Sequence, residues 1–312
     1  MSVATPTLKR PDALHTLHDH EVTEGLSIVI PAYNEENGIA PTLSELKEEL
    51  LKLELDIPLE VVIVNDGSTD KTAEAIEPYL DDVLRLVNHP RNRGYGAALK
   101  TGIENARYTW ILITDADGTY PNVHIPEVLE DRDSFDMIVG ARIGEKTHIP
   151  LIRRPPKWAL RKLAEILSQQ TIPDLNSGFR LMRRDVVREF YNILPNGFSF
   201  TTTITLAMFS AGFRVKYTPI NYNKREGKSK IRPIYDTLNF TKLIIRTIMY
   251  FDPLRIFLPL SVAFVGLSIL VGLGTYLWLG QLWDTTTVLL FVTGVQILIT
   301  GMLADMLNRR LP

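Results

Sequence analysis

The chain has no cysteine among its 312 residues, which excludes disulfides and thiolate metal sites and fits a reducing compartment. Net charge is almost absent, with 34 Lys and Arg against 36 Asp and Glu, and nucleic acid is not an expected partner. Met1 to Glu24 do not read as a secretory leader, being polar, including Pro6 and Pro11, and having neither a basic start nor an apolar stretch. Residues 1–24 are expected to form a flexible tail, and His15, His18 and His20 within it receive no role. Gly94-Tyr-Gly96 lacks the third glycine of a dinucleotide fingerprint and follows the third apolar run rather than the first, which argues against a nicotinamide cofactor.

What the chain does have is alternation. Apolar runs at Leu26 to Ile30, Val61 to Val64, Val83 to Val87, Trp110 to Ile113 and Met137 to Val139 are separated by helical patterns at Thr42 to Leu55, Asp70 to Leu80 and Gly96 to Ala106. That order predicts an α/β domain over residues 25–232, with a mainly parallel sheet covered on both faces. Ligands of such sheets bind beyond the carboxyl ends of the strands. Those ends carry Pro31-Ala-Tyr-Asn-Glu35, Asn65-Asp-Gly-Ser-Thr-Asp70 and Asp115-Ala-Asp117. The last of these puts two carboxylates where the chain leaves the core, a donor set suited to Mg2+ or Mn2+, although D-x-D by itself is more often an ordinary acidic turn.

The last quarter differs in composition. Ile256 to Leu279 is almost wholly apolar, and a second apolar segment over 287–307 follows a short polar loop, so residues 254–312 read as a transmembrane hairpin. Lys242, Arg246 and Arg255 precede it and Arg309 and Arg310 follow it, whereas the loop Gly280 to Thr286 has no basic residue; the positive-inside rule places both ends and the α/β domain in the cytoplasm. Residues 233–253 read as an amphipathic juxtamembrane helix with Ile234, Leu238, Ile245 and Met249 on its apolar side. Gly266, Gly272 and Gly274 offer a face for packing against further copies of the chain. Lys224, Arg225, Lys228, Lys230 and Arg232 form a basic stretch that suits phosphate or anionic lipid.

Seven motifs in order, IVIPAYNEE, VIVNDGSTDKT, NRGYGAALKTGI, ITDADGTYP, IVGARIGE, DLNSGFRLM and NKREGKSKI, give the chain a resemblance to the membrane-attached family-two glycosyltransferases of the dolichol-phosphate mannose synthase type. The resemblance covers Leu26 to about Asp252 and then the hairpin. It implies a GT-A fold, a nucleotide-sugar donor, a divalent metal, and inverting transfer of one sugar to a polyprenyl phosphate at the membrane. UDP-hexose is the favoured donor and GDP-mannose the second.

The same resemblance assigns residues. Asp115 and Asp117 would hold the metal and diphosphate, Thr119 standing where many relatives carry Gln. Asp66 would receive the nucleotide base, opposite Pro31, Ala32, Tyr33 and Glu35, with Ala116 nearby and Gly94 letting backbone approach the donor. Asp174 is a candidate to bind sugar hydroxyls, to orient an arginine, or to act as base. A lipid phosphate, with a second pKa of about 6, arrives mostly dianionic, so cations rather than a strong base are expected to position it. The candidates are Arg142, Arg225, Ser229 and Lys230, while Arg153, Arg154, Lys157 and Arg161 read as a solvated or headgroup-facing helix. A processive polysaccharide synthase would carry Q-x-x-R-W and more spans, and a non-catalytic scaffold would have lost some of the acids; neither pattern is found.

Overall fold

The computed structural model describes residues 23–53, 55–143, 154–197, 199–223, 233–280 and 284–308. By contact the chain divides into two units, one drawn from 1–150 and 173–230 and the other from 151–172 and 231–312.

The first unit is built on a seven-stranded sheet. Its strands are β1 (Thr23–Ala32), β2 (Leu59–Asn65), β3 (Leu84–Asn88), β4 (Tyr108–Ile113), β5 (Met137–Ala141), β6 (Arg180–Arg183) and β7 (Val215–Pro219), in the spatial order β3-β2-β1-β4-β6-β5-β7. All neighbours are parallel except β6, which runs antiparallel to both β4 and β5. Expected strand positions hold for β1 to β5. β1 starts at Thr23, inside the stretch expected to be tail, and residues 1–22 lie outside the described residues. The run Arg180–Arg183 is too short and too charged at its ends to announce a strand, and only its partners on either side make it one.

Alternation along the strands sorts their side chains onto two faces. Leu26, Ile28 and Ile30 of β1 join Val61, Ile63, Leu112, Ile138 and Leu181 in a core closed by Ile39, Leu43 and Leu46 of helix α1 (Ile39–Lys52), Ile76 of α2 (Thr72–Ile76), and Ile125, Val128 and Leu129 of α4 (Ile125–Leu129). On the other face, Val62 and Val64 pack with Ala98 of α3 (Tyr95–Asn105). Gly102 of α3 is required there, because a Cβ would strike Val29.

Pro31 inside the interior strand β1 also has a local reason. The Val29 carbonyl accepts from Thr114 N–H at 3.3 Å on the β4 side, and Pro31, two residues on, turns its nitrogen the same way just past the last β4 pair. The ring therefore removes no ladder hydrogen bond.

Strand direction decides where loops meet. Because β6 is antiparallel, its first residue, Arg180, pairs with Ile113 at the end of β4 and Val139 near the end of β5. The segment entering β6 thus shares one edge with the segments leaving β1, β2, β4, β5 and β7. β1 is the point from which the chain first winds toward β2 and β3 and then back to β4, a topological switch point.

The second unit contains α5 (Arg154–Ser168), α8 (Pro233–Phe251), α9 (Leu254–Leu279) and α10 (Thr285–Asn308); α6 (Arg184–Glu189) and α7 (Phe200–Ser210) belong to the first. Sequence reading kept 25–232 together, whereas 151–172 groups with the C-terminal helices. Arg255 shows why: its Nε donates to Asp252 at 2.7 Å and its Nη1 to the Leu167 carbonyl at 3.0 Å. Among the described side chains of α8, Ile244, Thr247 and Ile248 are buried within the chain, while Ile245 and Met249 of the expected apolar side stay half-exposed.

α9 and α10 are long and apolar enough to cross a bilayer, with mean hydropathies of 2.4 and 2.0 over Leu254–Trp278 and Thr285–Asn308. Only 17% and 11% of those windows are buried, unlike the core helices of a soluble protein. They pack through small residues: Ser261 Oγ donates to Gly294 O and Ser268 Oγ to Thr287 O, both at 2.8 Å, while a Cβ on Gly294 or Gly301 would press on Val265 or Phe257. Gly266 and Gly274 take no part, since a Cβ there would meet nothing within 4 Å.

Candidate functional site

The acid pair lies on the loop that leaves β4. Asp115 accepts from the Tyr95 hydroxyl at 3.0 Å, and burial, reinforced by the Asp115 charge, pushes the Tyr95 phenol well above its ordinary pKa. Tyr95 therefore stays a neutral donor that orients the carboxylate. Gly178, entering β6, packs directly on Asp115; a Cβ there would lie 2.9 Å from Oδ2 and 3.0 Å from Oδ1. The Gly178 N–H donates to Tyr120 Oη at 2.7 Å, fixing this approach. Asp117 is held differently: Oδ1 accepts from the Thr119 N–H at 3.2 Å and the Thr119 hydroxyl at 2.6 Å. Thr119, 1% exposed, thus directs both its N–H and its hydroxyl hydrogen to Asp117. Ala116 is buried, and its carbonyl accepts from Thr42 Oγ1 at 3.1 Å, which ties the loop to α1.

Asp66 sits past β2 but is largely committed to protein. Its Oδ1 contacts His89 Nδ1 at 2.7 Å and accepts from Arg93 N–H at 2.8 Å, while Oδ2 accepts from Gly94 N–H at 2.8 Å. A carboxylate offers about four acceptor positions, so about one, on Oδ2, remains for a base. Its first duty is to hold the segment 89–94, a role that needed His89, which sequence reading overlooked.

The glycines of Gly94-Tyr-Gly96 are also accounted for within the protein. Gly94 has φ 99°, which disfavours a side chain, and a Cβ on it would lie 2.5 Å from the Asn196 carbonyl oxygen; on Gly96 it would collide with the Pro195 carbonyl. Ala97 N–H donates to Asn196 O at 3.1 Å. Backbone at 195–197 therefore packs directly against both glycines.

At the end of β1 the expected pocket wall divides. Pro31 and Ala32 are buried in the sheet, Ala32 as a core residue whose carbonyl accepts from Asp66 N–H at 2.8 Å. Tyr33 and Glu35 are half-buried on the loop that follows. That loop is laced to the β2 loop: Asn34 Oδ1 accepts from Thr69 N–H at 2.8 Å, Asn34 N–H donates to Ser68 Oγ at 3.0 Å, and Glu35 N–H to Thr72 Oγ1 at 2.9 Å. Asn34 at φ 55° makes the turn.

Arg142, just after β5, and Asp174, ahead of β6, form a bidentate pair. Nε donates to Oδ2 at 2.6 Å and Nη2 to Oδ1 at 2.8 Å. Backbone N–H groups of Arg142 and Asn176 complete four hydrogen bonds on Asp174, at 3.2 and 3.1 Å, which fill the acceptor capacity of a carboxylate. Burial would raise the Asp174 pKa, but the hydrogen bond and charge of Arg142 outweigh it and hold the carboxyl below its ordinary value. Burial likewise works against the Arg142 charge and is overridden by Asp174, so the guanidinium stays protonated. Of the roles considered for Asp174, orienting an arginine is the one the geometry provides. Arg142 is not a bare phosphate receptor; Asp174 uses Nε and Nη2, leaves Nη1 outside the pair, and the Tyr222 ring lies 5.2 Å from the guanidinium carbon.

Arg180, fully buried, braces the Asp174 to Gly178 segment from behind by donating to Ser177 O through Nε and Nη2, at 3.1 and 2.5 Å, and to Thr201 O and Thr205 Oγ1 through Nη1, both at 3.1 Å. The candidates Arg225, Ser229 and Lys230 lie outside the described residues, as does Arg153. Among the described residues no three His, Cys, Asp or Glu side chains gather in one metal cluster.

A mainly parallel sheet with one antiparallel strand, and paired acids on the strand next to its switch point, is a GT-A architecture. Residues 27–191 match the family model Glycosyl transferase family 2, and residues 252–309 match the GtrB C-terminal hairpin. The chain belongs to glycosyltransferase family 2 and is a glycosyltransferase. It is 29% identical over 226 residues to a dolichyl-phosphate hexose transferase of Haloferax volcanii, covering 72% of this chain and 93% of that protein. To the dolichyl-phosphate beta-glucosyltransferase ALG5A of Trichomonas vaginalis it is 31% identical over 221 residues, covering 66% and 68%. In fold it is similar to glucosyl-3-phosphoglycerate synthase from Mycobacterium tuberculosis, solved with Mn2+, uridine diphosphate and phosphoglyceric acid, at a TM-score of 0.55 and 17% identity over 72% of this chain and 78% of that one.

Proposed function

We propose that the protein transfers one hexose from a nucleotide sugar, UDP-hexose by preference, to a polyprenyl phosphate at the membrane surface. The observation that carries this reading is the saturation of Asp174. The acid that sequence offered as a base has all four acceptor positions in use and a lowered pKa, so it favours an acceptor that arrives already ionised. A lipid phosphate does so, and relatives named as dolichyl-phosphate transferases, together with the hairpin at 252–309, point the same way.

Asp115 and Asp117 fit Mg2+ or Mn2+, because both are oxygen donors and such ions are commonly held by one or two carboxylates with substrate phosphates and water completing the shell. When bound, the ion neutralises charge on the departing nucleoside diphosphate. Tyr95 and Thr119 hold the two carboxylates in orientation. Arg142, charged and aimed by Asp174, presents its remaining donors to the acceptor phosphate; an oxygen of that phosphate forms the new bond to the anomeric carbon as the sugar's bond to the diphosphate breaks, with inversion. Arg225, Ser229 and Lys230 are assigned to the same phosphate on the strength of their sequence. Basic residues at the hairpin's ends and their absence from its loop support a cytoplasmic site with both termini on that side.

The test is to incubate the purified full chain with polyprenyl phosphate and, separately, labelled UDP-glucose, UDP-N-acetylglucosamine and GDP-mannose. Label should enter the organic phase as a single-sugar lipid from one donor. Polymeric product, or no lipid-linked label from any donor, refutes the proposal.

A further inference from the structure

Residues 221–223 follow β7 and run alongside the acid loop, stitched to it at successive positions. Asn221 N–H donates to His124 Nε2 at 3.2 Å, the Tyr222 and Tyr120 rings meet edge to face at 5.2 Å, and Asn223 N–H donates to Thr119 O at 2.9 Å. The Asn223 side chain adds a bond from Nδ2 to Gly118 O at 3.2 Å. Gly118 holds φ 66°, the left-handed conformation that turns the chain after Asp117. That turn presents two carbonyls, those of Gly118 and Thr119, to Asn223, while Thr119 directs its N–H and hydroxyl to Asp117 Oδ1.

We propose that Asn223 is a positioning residue for the donor's metal and diphosphate, acting through the Gly118-Thr119 turn on the Asp117 carboxylate. The proposal rests on the reading that Asp117 is a metal ligand. Two hydrogen bonds on one oxygen define the plane of the carboxylate, and they hold only while the turn keeps its shape. Thr119 is buried and cannot adjust alone, whereas Asn223 is exposed and closes the turn from outside. With two acids in the loop and no third such side chain clustered with them among the described residues, the orientation of Asp117 governs how firmly a cation and diphosphate are held together. Lys224, the next residue in the chain, opens the basic stretch, so the same asparagine joins the donor loop to the sequence assigned to the acceptor phosphate.

The experiment measures Mn2+ binding to the purified full chain by electron paramagnetic resonance in saturating UDP, for wild type, Asn223→Ala, Thr119→Val and Thr119→Ser, with thermal melting of each. Asn223→Ala and Thr119→Val should each raise the Mn2+ dissociation constant about three- to tenfold, the effect of losing about one orienting hydrogen bond. Thr119→Ser, which keeps the hydroxyl, should restore near wild-type binding, and Asn223→Ala should melt with wild type. If wild type binds Mn2+ and Asn223→Ala binds it equally well, the relay is wrong and the metal site stands, whatever Thr119→Val does. If wild type binds no Mn2+ with UDP, the metal reading falls and takes the relay with it. Should Asn223→Ala not fold, Asn223→Leu, which also lacks the Nδ2 donor, takes its place with the same expected loss.

Discussion

Arg142 and Asp174 come from chain segments 32 residues apart and meet in a two-pronged ion pair, 2.6 and 2.8 Å, at the edge where β5 ends and β6 begins. The pair converts a candidate base into a bracket for a cation. Both side chains are mostly shielded, 22% and 12% exposed, so the bracket is rigid enough to aim the guanidinium.

Asp174→Asn should therefore leave the shape of the pH–rate profile unchanged while raising the acceptor KM, because what is lost is the aim of Arg142 and not a proton acceptor. Loss of the profile's acidic limb in this variant would restore Asp174 as a base. Stability gives an independent check. The Asp174 carboxyl is held below its ordinary 3.8, so its stabilisation is complete above that value and disappears as pH falls through the lower folded-state value. The melting-temperature gap between wild type and Asp174→Asn should accordingly be widest near neutrality and close below about pH 4.

Asp117→Asn, or excess chelator on the wild type, should reduce transfer at least about 100-fold with little change in Tm, since the variant keeps the Oδ1 acceptor for Thr119 and loses the charge that serves the leaving group. Full activity in chelator would exclude the metal.

Gly96→Ala distinguishes packing from donor approach. A Cβ there meets the Pro195 carbonyl, and backbone cannot move aside cheaply, so the variant should lose about 1–3 kcal/mol in urea unfolding. A normal unfolding midpoint with a raised donor KM would return the glycine to the donor pocket.

Gly178→Ala should behave in the opposite way. Its Cβ meets the tip of the Asp115 side chain, which can swing, so Tm should stay near wild type while activity falls about tenfold or more through the displaced carboxylate. Unchanged kcat and KM would show that Asp115 need not sit where Tyr95 and Gly178 hold it.

Much of this was readable in one dimension. Apolar runs alternating with helical patterns predicted β1 to β5, because a strand covered on both faces is buried almost without a break, as in Leu26 to Ile30 or Trp110 to Ile113. The hairpin was readable for a similar reason, since a bilayer demands a length of apolar helix regardless of what surrounds it. Strand-end acids followed from the same pattern: where an apolar run stops, the next polar residues must emerge at a sheet edge.

Partnership between those residues was not readable, because hydrogen-bond capacity is finite and only the folded chain shows how it is shared. Sequence by itself determined which residues reach the edge, through burial, an additive property of each segment. Tertiary structure alone decided that Asp174 is saturated, that Asp66 serves His89, Arg93 and Gly94 before any ligand, and that Gly96 makes room for Pro195. Each of these rests on β6 running antiparallel or on loops crossing between strands, contacts between residues tens of positions apart that no local pattern encodes.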